Sequence, residues 1–189
     1  AKPDADFRVA ICFPDLYEIG MSNQAIAVIY GLLNSLDGVA CERVFAPAGD
    51  FEDLLREKNI PLYGLECGTP LDRFDIVAFS VGYELSATNI LTVLQAGRIP
   101  LRNRDRGPGN PIVIAGGPAL TNPLPYGSFI DAVYIGEAEE HLGDIIRGVA
   151  TAKKSGKSRD ILLDSIQKHS FFWHSDRKST RLNSSHVSQ

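Results

Sequence analysis

At residues 8–14 the sequence reads Arg8-Val9-Ala10-Ile11-Cys12-Phe13-Pro14, a short apolar run that ends at a proline. A run of this length, bounded by a breaker, is typical of a strand that is buried on both faces. The stretch from about Asn23 to Leu36 then carries apolar residues at helical spacing and is closed by Asp37-Gly38, which predicts a helix. The chain therefore opens with a buried strand, a loop and a helix.

The same alternation continues along the chain. Further strands are predicted at 42–46, 75–81, 111–115 and 131–135, and further helices at 50–58, 85–96, 138–153 and 159–168. Strands alternate with helices and the central strands are continuously apolar, which indicates a parallel sheet covered on both faces and joined by right-handed crossovers. We expect a flavodoxin-like (Rossmann-like), doubly wound α/β fold with five parallel strands in the order 2-1-3-4-5.

Composition and charge exclude several classes of protein. The 189 residues are 44% hydrophobic and 22% charged, as is usual for a globular protein that buries its core without disulfides or metals. No apolar run reaches the roughly 18 residues that a membrane-spanning helix needs, so no membrane association is expected. The net charge of -4 argues against direct nucleic-acid binding, which normally uses a basic face. Three scattered cysteines and no visible signal peptide favour the cytoplasm.

The loops that follow the strands provide the candidate site. Open parallel sheets bind ligands at the carboxyl ends of their strands, near the switch in strand order. In a 2-1-3-4-5 sheet, the loops after the first and third strands flank that switch. Each carries a Tyr-Glu pair, at Tyr17-Glu18 and at Tyr83-Glu84. Aromatic faces beside polar groups suit a flat organic ligand, and the same residues serve equally well as a cover for the end of the sheet.

Glycines mark the loops after the fourth and fifth strands. Gly116-Gly117 allows a close approach by a ligand or by neighbouring backbone, because neither residue has a Cβ atom; a tight turn before Pro118 is the alternative. Gly136 and Glu137 precede the long helix predicted at 138–153, whose acidic first turn is favoured by the helix dipole and opposes anion binding. Neither a dinucleotide fingerprint nor a P-loop is present.

No catalytic or metal-ligating residue is predicted from the pattern. The four histidines have no ligand spacing, and no nucleophile elbow or pair of catalytic carboxylates is recognisable. The cysteines Cys12, Cys41 and Cys67 are widely separated and form no CxxC pair. The residues by themselves thus indicate a ligand-binding α/β domain with no visible catalytic machinery.

The end of the sequence differs in character from the rest. Residues 176–189 are polar and aperiodic, begin Asp176-Arg177-Lys178-Ser179-Thr180 and resemble the in-frame translation of a sequencing adapter. Additions of this kind are left out of fold reasoning, so we expect an artefactual, disordered tail on a truncated fragment of a longer protein. The expected organisation is an α/β domain at 1–158, a helical connector at 159–175 and the tail at 176–189.

Five segments carry a resemblance to a known family. They are residues 9–23, Arg43-Val44-Phe45-Ala46-Pro47, Tyr83-Glu84-Leu85-Ser86, Ile114-Ala115-Gly116-Gly117-Pro118 and Ile135-Gly136-Glu137-Ala138-Glu139. Together they resemble radical SAM proteins with an N-terminal cobalamin (B12)-binding-like domain, over about residues 7–150. The resemblance implies a fold of the cobalamin-binding-domain type and a radical SAM domain in cis that is missing from this chain.

The resemblance also implies a way to bind cobalamin. The nucleotide tail of the cofactor would enter a slot between the sheet and its helices, lined by Ser80 and floored by Gly116-Gly117. The cofactor-binding residues expected from the loops and the resemblance are Asp15, Tyr17, Glu18, Gly20, Ser80, Tyr83, Glu84, Gly116, Gly117, Gly136 and Glu137. A Gly117→Val change is expected to abolish binding with little effect on the fold, provided that the backbone angles allow a side chain.

Two departures from the family pattern limit what is expected. The loop after the first strand keeps Asp15 and Gly20 but has no histidine, so cobalamin would not be histidine-ligated from this loop. The motif CxxxCxxC is absent, so a [4Fe–4S] cluster and SAM are expected only in the missing part of the parent, and this chain alone is expected to be inactive.

Three interpretations therefore stay open. The first is a non-catalytic, cobalamin-binding-like domain of a truncated radical SAM enzyme. The second is a cofactor-free docking domain of the same enzyme. The third is a free-standing flavodoxin-like binder of FMN or another small molecule.

Overall fold

A six-stranded sheet forms the centre of the computed structural model, which describes residue 2 and residues 5–175. The strands are β1 (Phe7–Phe13), β2 (Val39–Phe45), β3 (Ile76–Ser80), β4 (Ile112–Gly116), β5 (Ala132–Tyr134) and β6 (Phe172–Trp173). Their order is β2-β1-β3-β4-β5-β6, with β1 to β5 parallel and β6 antiparallel to β5. The doubly wound α/β class and the order of the first five strands are confirmed. The strand number of five is corrected to six, and the predicted tail at 176–189 lies outside the described residues.

Helices cover both faces of this sheet. They are α1 (Tyr17–Gly20), α2 (Gln24–Asn34), α3 (Gly49–Glu57), α4 (Ala87–Ala96), α5 (Ala138–Lys154) and α6 (Arg159–Gln167). The helices α2, α5 and α6 pack on one face, which we call the α2/α5 face, and bury Leu33, Ile146 and Ile166 there. The helices α3 and α4 pack on the opposite face, so the sheet lies between two helical layers.

Alternation along the central strands sends successive side chains into these two cores. In β3, Ile76 and Ala78 belong to the core of the α2/α5 face, whereas Val77 and Phe79 belong to the opposite core. Both sets are apolar because parallel strands in this fold are buried on both sides. The period of two also places Ser80, at the end of β3, on the α2/α5 face.

Residues 159–175, the predicted connector, pack against the domain as α6 and β6. Leu162 and Phe172 are buried in the core of the α2/α5 face. The carboxylate of Asp131 accepts hydrogen bonds through Oδ2 from Arg159, at 2.9 Å, and from the buried Arg106, at 3.1 Å. Because breaking a buried ion pair is costly, these contacts fasten the start of α6 to the sheet. Within the described part of the chain, no helix is both long and apolar enough to cross a membrane.

Candidate functional site

A cleft of about 400 Å³ opens at the carboxyl ends of the central strands, on the α2/α5 face. Its floor is formed by β1, β3, β4 and β5, and α2 and α5 flank it. The lining is mostly apolar, with Ile11, Ala78 and Ile114 in the floor and Ala25, Ile29 and Leu142 from the two helices. Clefts of this size and polarity at the strand ends of open α/β sheets are the usual ligand sites of such folds.

Small side chains in register explain why the cleft is open. Ser80 of β3 pairs with Gly116 of β4, which in turn pairs with Tyr134 of β5. All three residues line the cleft. Because the side chains of Ser80 and Gly116 are only a hydroxymethyl group and a hydrogen, the space between α2 and α5 above them stays unfilled.

Gly116 and Gly117 have different roles. Gly116 has no positive φ, and a Cβ atom there would make only ordinary contacts, 3.6 Å from Tyr134. Gly117 has φ +116° and ψ 168°, and a Cβ atom there would lie 2.5 Å from the carbonyl oxygen of Val81. A side chain at position 117 is therefore strained whatever binds nearby. The Gly117→Val prediction required backbone angles that allow a side chain, and those at Gly117 do not. Gly116 is instead the position at which an added side chain would occupy the cleft without straining the backbone.

Gly136 and Glu137 form the rim of the cleft beside α5. Gly136 adopts φ +133°, and the Tyr134 hydroxyl donates a 3.0 Å hydrogen bond to the carbonyl oxygen of Glu137. Burial raises the pKa of Tyr134, and the nearby glutamates raise it further. The ring of Phe171 stacks on Tyr134, with centroids 6.1 Å apart. The rim is thus held by backbone turns and aromatic packing, and its ionisable groups are acidic.

A second group of predicted residues meets beside the cleft, across the switch point of the sheet. The Tyr83 hydroxyl donates a short hydrogen bond to Oδ2 of the buried Asp15, and this bond raises the pKa of Tyr83. The other carboxylate oxygen of Asp15 accepts from the backbone N–H of Leu16 at 2.8 Å. Asn89 donates to the carbonyl oxygen of Pro14 at 2.9 Å. These bonds tie the loop after β1 to the elements that follow β3, and Asp15 and Tyr83 satisfy each other.

The other predicted residues of these two loops have different surroundings. Tyr17 packs edge-on against Phe45, with centroids 5.3 Å apart. Gly20 lies against Phe13 and Phe45, and a Cβ atom there would approach the two rings to 2.7 Å and 2.5 Å, so this glycine serves packing. Glu18 and Glu84 are exposed. None of these four residues lines the cleft.

Sequence reasoning thus identified five of the residues that line the cleft: Ser80, Gly116, Gly117, Gly136 and Glu137. It missed the contribution of α2, through Ala25 and Ile29, and those of Tyr134 and Thr121. The sequence of the strands does indicate an open space here, since Ala78, Ser80 and Gly116 are small residues on the same face of adjacent strands. The contribution of α2 depends on how the helix crosses the sheet, which its own periodicity does not specify.

The cysteines do not meet. Cys12 and Cys41 are buried on opposite faces of the sheet, and Cys67 is exposed in a loop. Burial raises the pKa of both buried thiols, which disfavours the thiolate that binds metals. Within residues 5–175, no cluster of three or more histidine, cysteine or acidic side chains is arranged to hold a metal ion.

Comparison with known proteins adds one match. The profile of a family described as "Radical SAM proteins, N-terminal" matches residues 25–173, most of the chain. No curated protein matches the sequence, and no solved structure does. The matched range extends from the second residue of α2 through β6, so it includes both helices that flank the cleft.

Proposed function

The chain belongs to the family of N-terminal domains of radical SAM proteins, and from this premise we propose that it is the non-catalytic, cobalamin-binding-like domain of its parent enzyme. Membership of the family implies a radical SAM domain in the same polypeptide. The [4Fe–4S] cluster and SAM belong, in this proposal, to that domain. The present chain contributes the binding site for cobalamin.

The observation that carries the proposal is the cleft floored by Ser80 and Gly116 between α2 and α5. It offers a flat group apolar walls on both sides and a hydroxyl at its floor. A Cβ atom at Gly116 would point into this space without meeting backbone closer than 3.6 Å, so the missing side chain leaves usable room. The residues present therefore fit the nucleotide base of cobalamin.

Three of the lining residues would hold the base. Ile29 of α2 and Leu142 of α5 would cover its apolar faces, and burial of such surface is favourable at about 25 cal/mol per Å². The Ser80 hydroxyl would hydrogen-bond a ring nitrogen, a contribution of about 1 kcal/mol. Cobalamin, when bound, supplies a cobalt centre for the chemistry of the parent enzyme. The loop at 14–23 contains no histidine, so no imidazole from it would ligate the metal.

A cofactor-free docking domain is the second candidate. The observation that favours it is exposed apolar surface in the loops at the carboxyl edge, where Leu85 is 86% exposed and Leu124 72% exposed. In a folded monomer such side chains are candidates for a protein contact. Binding of cobalamin and docking of the radical SAM domain are compatible, so this candidate differs only in leaving the cleft empty. A free-standing FMN binder is less well supported, since the family match places the chain in a larger enzyme.

Equilibrium dialysis of the 189-residue chain against hydroxocobalamin, with FMN in a parallel arm, distinguishes these candidates. We expect saturable binding of cobalamin and none of FMN. Gly116→Val should weaken binding at least tenfold because its side chain fills the cleft. Gly148→Val, on the exposed side of α5 with nothing within 4 Å of the added atom, is the matched control and should bind normally. Absence of cobalamin binding would leave the docking domain, and FMN binding alone would favour the third candidate.

A further inference from the structure

The polar groups around the cleft are unevenly distributed. None of the residues that line it is lysine, arginine or histidine, and its charged members are Glu137 and Glu139 at the rim. Three hydroxyls belong to the lining. Thr121 donates its own to the carbonyl oxygen of Pro118 and Tyr134 donates to Glu137. The Ser80 hydroxyl is the member of this set without a hydrogen-bond partner among residues 5–175.

The N-termini of α2 and α5, which lie at the cleft, would not stabilise a bound anion. At the start of α2, the side chain of Asn23 already accepts the hydrogen bond from the N–H of Ile26, at 3.2 Å. At the start of α5, Glu139 and Glu140 occupy the first turn, where their negative charge offsets the helix dipole. A phosphate in the cleft would therefore meet carboxylates and no cationic side chain of the lining, so the favoured occupant is uncharged.

We infer that the cleft selects the base of the cofactor, accepting an uncharged, largely apolar fused ring of the benzimidazole type and discriminating against a purine. This inference rests on the proposed function. When the benzimidazole of cobalamin is not bound to cobalt, it has one free ring nitrogen, which the single available hydroxyl of Ser80 can serve. Adenine adds an amino group and further ring nitrogens, and buried polar groups left without partners are unfavourable. The walls formed by Ile29, Ile114 and Leu142 provide no such partners.

Three cobamides test the selection on the full 189-residue chain by calorimetric titration. They are cobalamin, whose base is dimethylbenzimidazole; adeninylcobamide; and cobinamide, which has no base. We expect cobalamin to bind at least tenfold more tightly than either of the others, equivalent to about 1.4 kcal/mol. Equal or tighter binding of adeninylcobamide would overturn the selection, and equal binding of cobinamide would show that the cleft does not hold the base. Failure of all three to bind would instead overturn the proposed function, and the inference with it.

A variant pair on α2 gives a second readout. Ala25 lines the cleft, so Ala25→Gln should supply an amide partner for a purine and lower the cobalamin preference at least threefold. Ala27 is exposed on the same helix and outside the cleft, so Ala27→Gln is the matched control and should leave the preference unchanged. A preference that stays the same in Ala25→Gln, or that falls equally in both variants, would contradict selection by the cleft.

Discussion

Adding a single methyl group at Gly117 should lower the stability of the protein far more than adding one at the neighbouring Gly116. Gly117 lies at φ +116° and ψ 168°, a region that is essentially restricted to glycine, and placing another residue there costs about 1–3 kcal/mol. In Gly117→Ala the new Cβ atom would also lie 2.5 Å from the carbonyl oxygen of Val81. The backbone of Val81 cannot easily move away, because its N–H donates a 2.8 Å hydrogen bond to the carbonyl oxygen of Gly116.

The strain and the contact together set the expected loss of stability. Overpacking of a closely packed site costs roughly another 1–3 kcal/mol, so we expect Gly117→Ala to lose about 3 kcal/mol or more of a total of roughly 5–15 kcal/mol. For a chain of this length, that corresponds to a fall in Tm of about 6–12 °C. Gly116→Ala, which meets ordinary contacts at 3.6 Å, should change stability by less than about 1 kcal/mol.

Urea unfolding followed by the fluorescence of Trp173, the single tryptophan, measures both variants against the parent chain. The comparison is internal because the two changes are chemically identical and lie at neighbouring positions. Unchanged stability of Gly117→Ala would refute the backbone geometry assigned to this turn. An equal loss in both variants would refute the distinction between the strained backbone at Gly117 and the unstrained backbone at Gly116.

Three further outcomes are expected. Asp131→Ala should lower the free energy of unfolding by about 3–5 kcal/mol in urea titrations, because it leaves the buried guanidinium of Arg106 without its carboxylate; a loss below about 1 kcal/mol would contradict the role of this pair. Hydrogen bonding to Asp15 raises the pKa of Tyr83. The hydrogen bond therefore stabilises the fold fully below about pH 10, the ordinary pKa of tyrosine. This stabilisation is lost as the pH rises through the higher folded-state pKa of Tyr83. Tyr83→Phe should therefore show a smaller fall in Tm between pH 9 and 11 than the parent, and an identical fall would argue against the bond. Anaerobic reconstitution of the isolated chain should give no cluster absorption and no 5′-deoxyadenosine from SAM, since its cysteines do not meet; either product would contradict that assignment.

The predictability of the fold differs between its elements. The central strands β1, β3 and β4 follow from local patterns, because each carries a continuous apolar run bounded by turn residues. Strand β2 includes Glu42 and Arg43, and the strand order follows from the rules of doubly wound topology rather than from any single segment. Strand β6 has only two residues, Phe172 and Trp173, and its pairing with β5 depends on where α6 delivers the chain. A pattern of two residues carries no period, so this strand could not be predicted.

The site likewise contains features that can be predicted from the sequence and features that cannot. The positions of Ser80 and Gly116 follow from their places at the ends of adjacent parallel strands. The bond between Tyr83 and Asp15 joins residues far apart in sequence, so this contact between the two loops is not visible in the pattern of either loop. The strain at Gly117 was equally hidden, because a glycine in a sequence does not disclose the sign of its φ angle.

In the proposed complex, the base of cobalamin lies between α2 and α5 above Ser80 and Gly116. Backbone amide NMR of the isotopically labelled 189-residue chain, recorded with and without hydroxocobalamin, tests it most directly because the Co(III) form is diamagnetic. We expect saturable shifts concentrated at residues that line the cleft, including Ile29, Gly116 and Leu142, with α3 and the amino ends of the strands unaffected. Shifts centred on the α3/α4 layer, or no shifts at saturating cobalamin, would contradict it.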